Sequence, residues 1–337
     1  MDTEPAGGPR DDTERQAMLD LAVVALLGSE ARWTAAEVCA QAECDRDTAD
    51  GLWRAMGFPD APDDEVAFTD RDVAALRGAL ALQASGIVDG EAVRAQTRVM
   101  SQALATIAAA HLEITDPGER DVDRLQTFVG DVLPALDDLL VYLYRRHLLA
   151  EVERTVLRDR TDIDPAAPTM TVGFADLVGF TRVANHLAED ELAELVEAFT
   201  RSAADVVAEG AGRVVKMIGD EVMFTHLDPV AATDIALRLV EEVGGRAGLP
   251  ALRAGVAAGP VMLRHGDVFG PTANLAHRLV DVARPASVLV DEDVADALAG
   301  RDDLATVRIA GIRRLRGFDK VRVSAVRRRS DEERDAR

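Results

Sequence analysis

The spacing of apolar positions changes near the middle of the chain, and the change divides it. Over about the first 150 residues apolar side chains recur three and four apart, the period of helices with one buried face. Leu19, Ala22, Val23 and Leu26 share a face, and Gly28 follows as a stop. Thr34 with Glu37 has capping-box spacing and opens a helix to about Ala42. Asp45–Met56 reads as a second short helix closed by Gly57, with Trp53 and Phe58 expected in the core. Thr69 and Asp72 cap the start of a helix running to about Ala84. Val93, Thr97, Met100, Leu104 and Ile107 then alternate four and three apart, a seam for a partner helix. Asp116-Pro117-Gly118 breaks the pattern, and Pro134 kinks or restarts the next helix. Leu136, Leu140 and Leu143 form its stripe, on which His147 also falls. Seams of this length suit packing within the chain or across a dimer, and spacing does not choose between them.

After two prolines in Asp162–Pro168 the pattern becomes mixed. Thr171–Thr181, TVGFADLVGFT, reads as a buried strand ending on Asp176, with Gly179 loosening the backbone before a helix at Phe180 and Thr181. That helix runs to Glu209 and turns Leu192, Leu195, Val196 and Phe199 inward. Arg213–Thr225 reads as a hairpin with Gly219-Asp220 at its turn. There follow a helix over Pro229–Val243, strands over Ala251–Ala258 and Val261–Arg264, and a helix ending near Ala283. Asn274 and Arg278 lie four apart on that last helix, hence on one face. The order β-α-β-β-α-β predicts a ferredoxin-like α+β core, an antiparallel sheet with one face covered by helices. The expected organisation is a disordered leader over 1–11, an all-α domain over 12–150, a helical linker over 151–168, the α+β domain over 169–327 and a charged tail over 328–337.

Composition narrows the partners. The 337 residues are 48% hydrophobic, ample for packed cores, and carry 60 acids against 38 bases, a net charge of −22. Such a surface repels nucleic acid and anionic membrane, so no nucleic-acid partner is expected. The two short helices over 35–56 nevertheless have helix-turn-helix spacing, which raises a DNA-binding regulator as a rival reading. Asp45, Asp47 and Asp50 outnumber Arg46 and Arg54 there, and a recognition helix would carry that charge toward phosphates. No apolar run is long enough for a transmembrane segment, and the acidic N-terminus lacks a signal-peptide apolar stretch. A cytoplasmic protein is expected, with Cys39 and Cys44 as structural thiols in a reducing compartment.

The chemistry centres on strand ends. An acid closing a core strand beside a helix N-terminus suits a divalent cation next to an anion, which suggests a nucleotide. Alone, Asp176 would read as a helix cap. Asp220 at a second strand end supplies the other half of a two-metal site. Lys216 alone would read as a solvated strand-edge lysine.

FADLVGFT, VKMIGDEVM and GDVFGPTANLAHRL, in that order, resemble the class III nucleotidyl cyclases over about Thr169 to Val326. The resemblance implies that Asp176 and Asp220 hold two Mg²⁺ or Mn²⁺ ions, and that the amides of Phe180 and Thr181 contact phosphate. It implies that Lys216 and Asp267 read the purine. Lysine donates to adenine N1 and aspartate accepts from the N6 amino group; guanine reverses both, and guanylyl cyclases of the family carry Glu and Cys there. ATP is the implied substrate and cyclic AMP the product. Asn274 matches the ribose-orienting residue and Arg278 the one that stabilises charge on the α-phosphate. Arg316 falls where relatives often hold the terminal phosphates with lysine. The family places each active site at a dimer interface, so a homodimer would share two. The helical half resembles the regulatory domain of actinobacterial cyclases, autoinhibitory and able to respond to pH, and His147 is the candidate sensor through burial of its neutral ring. IGDEV also has a superficial likeness to the diguanylate cyclase hairpin, a second rival that leaves Asp267, Asn274 and Arg278 unexplained.

Overall fold

The computed structural model describes residues 9–58, 61–115, 127–159, 168–244, 246, 248–309, 313–315 and 317–330. It divides into two compact units, Met1–Glu153 and Arg154–Arg337.

The first unit is helical. Its helices are α1 (Pro9–Leu27), α2 (Ala35–Ala42), α3 (Arg46–Ala55), α4 (Asp70–Ala84), α5 (Gly90–Thr115) and α6 (Leu133–Asp159, whose end passes into the second unit). A two-stranded ribbon, β1 (Trp33–Thr34) with β2 (Val66–Phe68), joins them. Pro9–Asp11 lie inside α1, so the part of the expected leader that is described is helical. The capping boxes at Thr34/Glu37 and Thr69/Asp72 both form. Trp53 is buried as expected, but Phe58 is 60% exposed. Gly57, at φ +82°, turns the chain outward after α3, and Phe68 of β2 stacks on Trp53 instead, ring centroids 4.7 Å apart. Among the described side chains of α5 only Val93 is buried; Met100 and Leu104 remain exposed. Ahead of α6 a π-helical turn at Phe128–Val132 runs straight into the helix, the Leu133 amide donating to the Phe128 carbonyl, so Pro134 follows a turn that is already helical. Asp116-Pro117-Gly118, the linker residues Asp162–Ala167 and most of the tail lie outside the described residues.

The second unit is an α+β fold. In chain order it contains β3 (Thr169–Leu177), α7 (Phe180–Ala184), α8 (Glu189–Glu209), β4 (Arg213–Ile218), β5 (Glu221–His226), α9 (Pro229–Arg238), β6 (Leu252–Pro260), β7 (Met262–Arg264), β8 (Asp267–Phe269), α10 (Pro271–Val282), β9 (Val288–Val290), α11 (Glu292–Ala297), β10 (Leu304–Arg308), β11 (Arg313–Leu315), β12 (Phe318–Val321) and β13 (Ser324–Arg328). The main sheet runs β10-β13-β9-β6-β3-β5-β4. Its β6-β3-β5-β4 portion is antiparallel throughout and has the ferredoxin-like order. β9 adds parallel to β6.

The long helix expected from Phe180 breaks after Ala184 and restarts at Glu189, where the Glu191 side chain accepts a hydrogen bond from the Ala188 amide. Alternation along β3 sends Ala175 and Leu177 to one face and Val172 and Phe174 to the other. The first face packs against Phe199, Ala203 and Val206 of α8, Ile235 of α9 and Val294 of α11. The second face is covered as well, by Ala273, Ala276, Leu279 and Val280 of α10. Helices therefore lie on both faces, not one. Each fully buried Leu, Phe or Val contributes about 1.5–3 kcal/mol, enough to hold α10 firmly on the sheet.

Candidate active site

Asp176 is the next residue after Phe174 on the α10 face of β3, at the end of the strand. Register puts it directly across from Arg253 of β6 on one side and Glu221 of β5 on the other. Arg253 grips it with two bonds, Nε to Oδ1 at 2.7 Å and Nη2 to Oδ2 at 2.8 Å. Asp220 occupies the β4–β5 turn, and its carbonyl accepts from the Leu177 amide at 3.1 Å, tying the turn to the end of β3. Partial burial and the nearby Asp176 charge raise the Asp220 pKa. Burial, then the charges of Asp176, Asp220 and Asp281, push the Glu221 carboxyl up to about 7. His277 of α10 lies 3.6 Å from Glu221 through Nε2 and meets the Phe174 ring edge-on.

These donors are all oxygen, and the excess negative charge at one sheet corner is what a hard divalent cation would offset. Among the described residues no group of three His, Cys, Asp or Glu side chains is arranged to hold a metal by itself. A pair of carboxylates completed by substrate phosphates is the usual arrangement for Mg²⁺, and Asp176 with Asp220 fits it.

Lys216 reaches its place through an irregularity. Val214 pairs with Phe224 and Lys216 with Met223, so Val215 is an extra, bulged residue. The bulge turns Lys216 to the α10 face, where Asp267 opens β8. Lys216 Nζ donates to Asp267 Oδ2 at 2.6 Å, and Asp267 Oδ1 accepts from the Val268 amide at 2.7 Å. The ammonium also stands 6.0 Å from the Phe269 ring centroid.

α10 begins after Gly270, whose φ of +123° favours glycine, with Pro271 in the first turn. Asn274 is exposed on it and Arg278 half-buried, its Nη1 donating to Asp281 Oδ2 at 2.7 Å. Phe180 and Thr181 form the first turn of α7 behind Gly179, at φ +72°; their amides are first-turn donors that the helix itself cannot satisfy. Arg316 lies outside the described residues. His147 is exposed on α6, not buried on the stripe where it was expected. Reasoning from sequence missed Arg253, Glu221, His277 and Asp281. The signal for Arg253 was present: an arginine inside LRAGVAAGP, an otherwise apolar strand, needs a partner.

A ferredoxin-like sheet with two strand-end acids, a Lys–Asp pair and an Asn/Arg helix defines the class III nucleotidyl cyclase catalytic domain. Residues 164–325 match the adenylate and guanylate cyclase catalytic domain family. An adenylate cyclase of Streptomyces coelicolor is 40% identical over 307 residues, covering 88% of this chain and 80% of that protein. An adenylate cyclase of Streptomyces griseus is 40% identical over 281 residues, covering 81% and 70%. A pH-sensitive adenylate cyclase of Mycobacterium tuberculosis is 37% identical over 248 residues, covering 70% and 62%. The chain belongs to the class III adenylate cyclase family, of the actinobacterial type. Catalytic domains of this family generally use divalent metals. Among the described residues no helix is long and apolar enough to cross a membrane.

Proposed function

We propose that this chain converts ATP to 3′,5′-cyclic AMP and pyrophosphate, in the cytoplasm, as a homodimer with two shared active sites. The observation that carries the choice of ATP is the 2.6 Å contact between Lys216 and Asp267. The pair presents one donor and one acceptor side by side, the complement of adenine N1 and N6. Guanine would leave both groups facing their own kind, a cost of about 1–3 kcal/mol for each unpaired group.

Asp176 and Asp220 hold the divalent cations, Mg²⁺ or Mn²⁺, two per site. When bound, these lower the pKa of the ribose 3′-hydroxyl and neutralise charge on the departing pyrophosphate. Asn274 orients the ribose, and Arg278 places its guanidinium on the α-phosphate as charge builds there. Phe180 and Thr181 offer first-turn amides to phosphate oxygens, and Arg316 supplies charge to the terminal phosphates. Arg278 has to leave Asp281 to do its work.

The uncovered seam on α5 and α6 supports the dimer. Met100, Leu104, Tyr142, Leu148 and Val152 are all exposed within one chain, a pattern that calls for a partner helix. The helical half is the regulatory part in this reading, with His147 as the residue to test for a pH response. Incubation with ATP or GTP in the presence of Mn²⁺, followed by identification of the product, tests the substrate. Cyclic AMP from ATP is expected; cyclic GMP as the main product, or cyclic di-GMP, would overturn the reading. Full-length protein compared across pH with a fragment starting at Pro165 tests the regulation. Equal pH profiles would remove the helical half from it.

A further inference from the structure

The chain has two cysteines, and both stand at one end of α2. That helix closes on Glu43 in the left-handed conformation, at φ 57°. The Glu43 amide donates to the Ala40 carbonyl at 3.4 Å, and the Cys44 amide to the Cys39 carbonyl at 3.1 Å. This bond pair is a Schellman cap, in which the residue past the left-handed one folds back on the helix's last turn and the two side chains meet. The motif usually fills that contact with apolar groups. Here it holds two free thiols, which interact directly. Cys39 is buried among Val38, Leu52 and Leu76; Cys44 packs on the same cluster and is only half-buried.

Packing asks for no more than two small apolar side chains at this corner, and cysteine serves as one. Two sulfurs in contact add a reaction that other apolar pairs lack. The longer of the two backbone connections holds Cys39 and Cys44 side by side, the placement an unstrained disulfide requires. The half-buried sulfur is within reach of a small oxidant, and the buried one is poised to resolve the product.

We propose that Cys39 and Cys44 are a peroxide-modifiable site, joined on oxidation by a reversible disulfide across the end of α2. Cys44 reacts first. Its thiolate attacks one peroxide oxygen; the S–O bond forms, the O–O bond breaks, and the departing hydroxide takes the thiol proton to become water. Cys39 then attacks the Cys44 sulfur; the S–S bond forms, the S–O bond breaks, and a second water leaves with the remaining thiol proton. Two thiols together lose two electrons, and one hydrogen peroxide is reduced to two waters. Burial, then Cys39 and Asp45, pushes the Cys44 thiol up to about 11, so thiolate is scarce near neutral pH and the first step is slow there. Exchange with small thiols reverses the bond, which in a reducing compartment is therefore transient. The bond lies one residue before Asp45, whose carboxylate caps α3, and so fixes the α2–α3 corner. The site does not depend on the cyclase assignment.

The test incubates the full chain with hydrogen peroxide at about pH 8.5, then unfolds, alkylates and digests it with trypsin. Both cysteines fall in one peptide, Trp33–Arg46, because no Lys or Arg interrupts it. That peptide is expected to be two hydrogens lighter and without alkyl groups, and to gain two alkyl groups when dithiothreitol precedes alkylation. Cys39→Ser is expected to leave a sulfenic acid on Cys44 that dimedone captures, and Cys44→Ser to react more slowly than Cys39→Ser. Both cysteines alkylated as in untreated protein would overturn the proposal. So would disulfide-linked pairs of chains, or sulfinic acid on Cys44 with Cys39 still alkylated. The parent chain alone decides the matter if a serine variant does not fold.

Discussion

Three carboxyl groups crowd the end of β3, and among the described residues only Asp176 of these has a guanidinium hydrogen-bonded to it. Glu221 carries the clearest consequence. Its pKa rises from an ordinary 4.5 to about 7, so the folded protein binds this proton more tightly than the unfolded chain. Its ionisation therefore costs stability progressively as pH rises through that window, and the full cost remains above it. Glu221→Gln is expected to raise the melting temperature of the metal-free protein at pH 8 and to change it little at pH 4.5. An equal shift at both would contradict the assignment. The purine pair makes a second prediction at this scale. Replacing Lys216 with Glu and Asp267 with Cys should lower kcat/KM for ATP by a factor on the order of 100 or more, because polar groups in the site lose their complements. GTP should gain at ATP's expense. Unchanged preference, measured with both nucleotides, would remove these residues from base reading.

Among the elements, α10 is the one whose seating matters most to the chemistry. It presses so closely on β6 that a Cβ at Gly255 would stand 2.4 Å from the Ala276 carbonyl oxygen and 2.7 Å from Leu279 Cβ. Gly255→Ala must push the helix away. A loss of about 1–3 kcal/mol is expected, seen in thermal melts together with a fall in kcat as Asn274 and Arg278 shift. Full activity in that variant would mean the helix position is slack. The strands, the two acids and the Asn/Arg helix were legible in the sequence because each has a local signature: alternation, a Gly-Asp turn, a four-residue spacing. The bulge at Val215 has none. Strict alternation along RVVKMI would put Val214 and Lys216 on one face, yet an extra residue in the ladder places them on opposite faces. Arg253's grip on Asp176 arises from register between residues 77 apart in the chain, and the second helix-covered face from α10 packing on the sheet; no local pattern encodes either. Phe58 misled for a related reason. Its place on Trp53 was taken by Phe68, from a ribbon too short to show periodicity.

At the scale of the molecule, one chain carries both the acids proposed to hold metal and the pair proposed to read the purine, and the proposal assigns them to different active sites of a dimer. That division is the central claim, and subunit mixing tests it. Asp220→Asn and Lys216→Ala proteins should each form homodimers with little cyclase activity. Unfolded together and refolded in equal amounts, they would form heterodimers in which one site has two damaged partners and the other none. Statistical mixing gives about half heterodimers with one intact site of two, so activity should recover to about one quarter of the parent. Cyclic AMP formation by the mixture is the measurement. Recovery approaching that fraction is the predicted result; a mixture no more active than its parts, with heterodimer present, would contradict it.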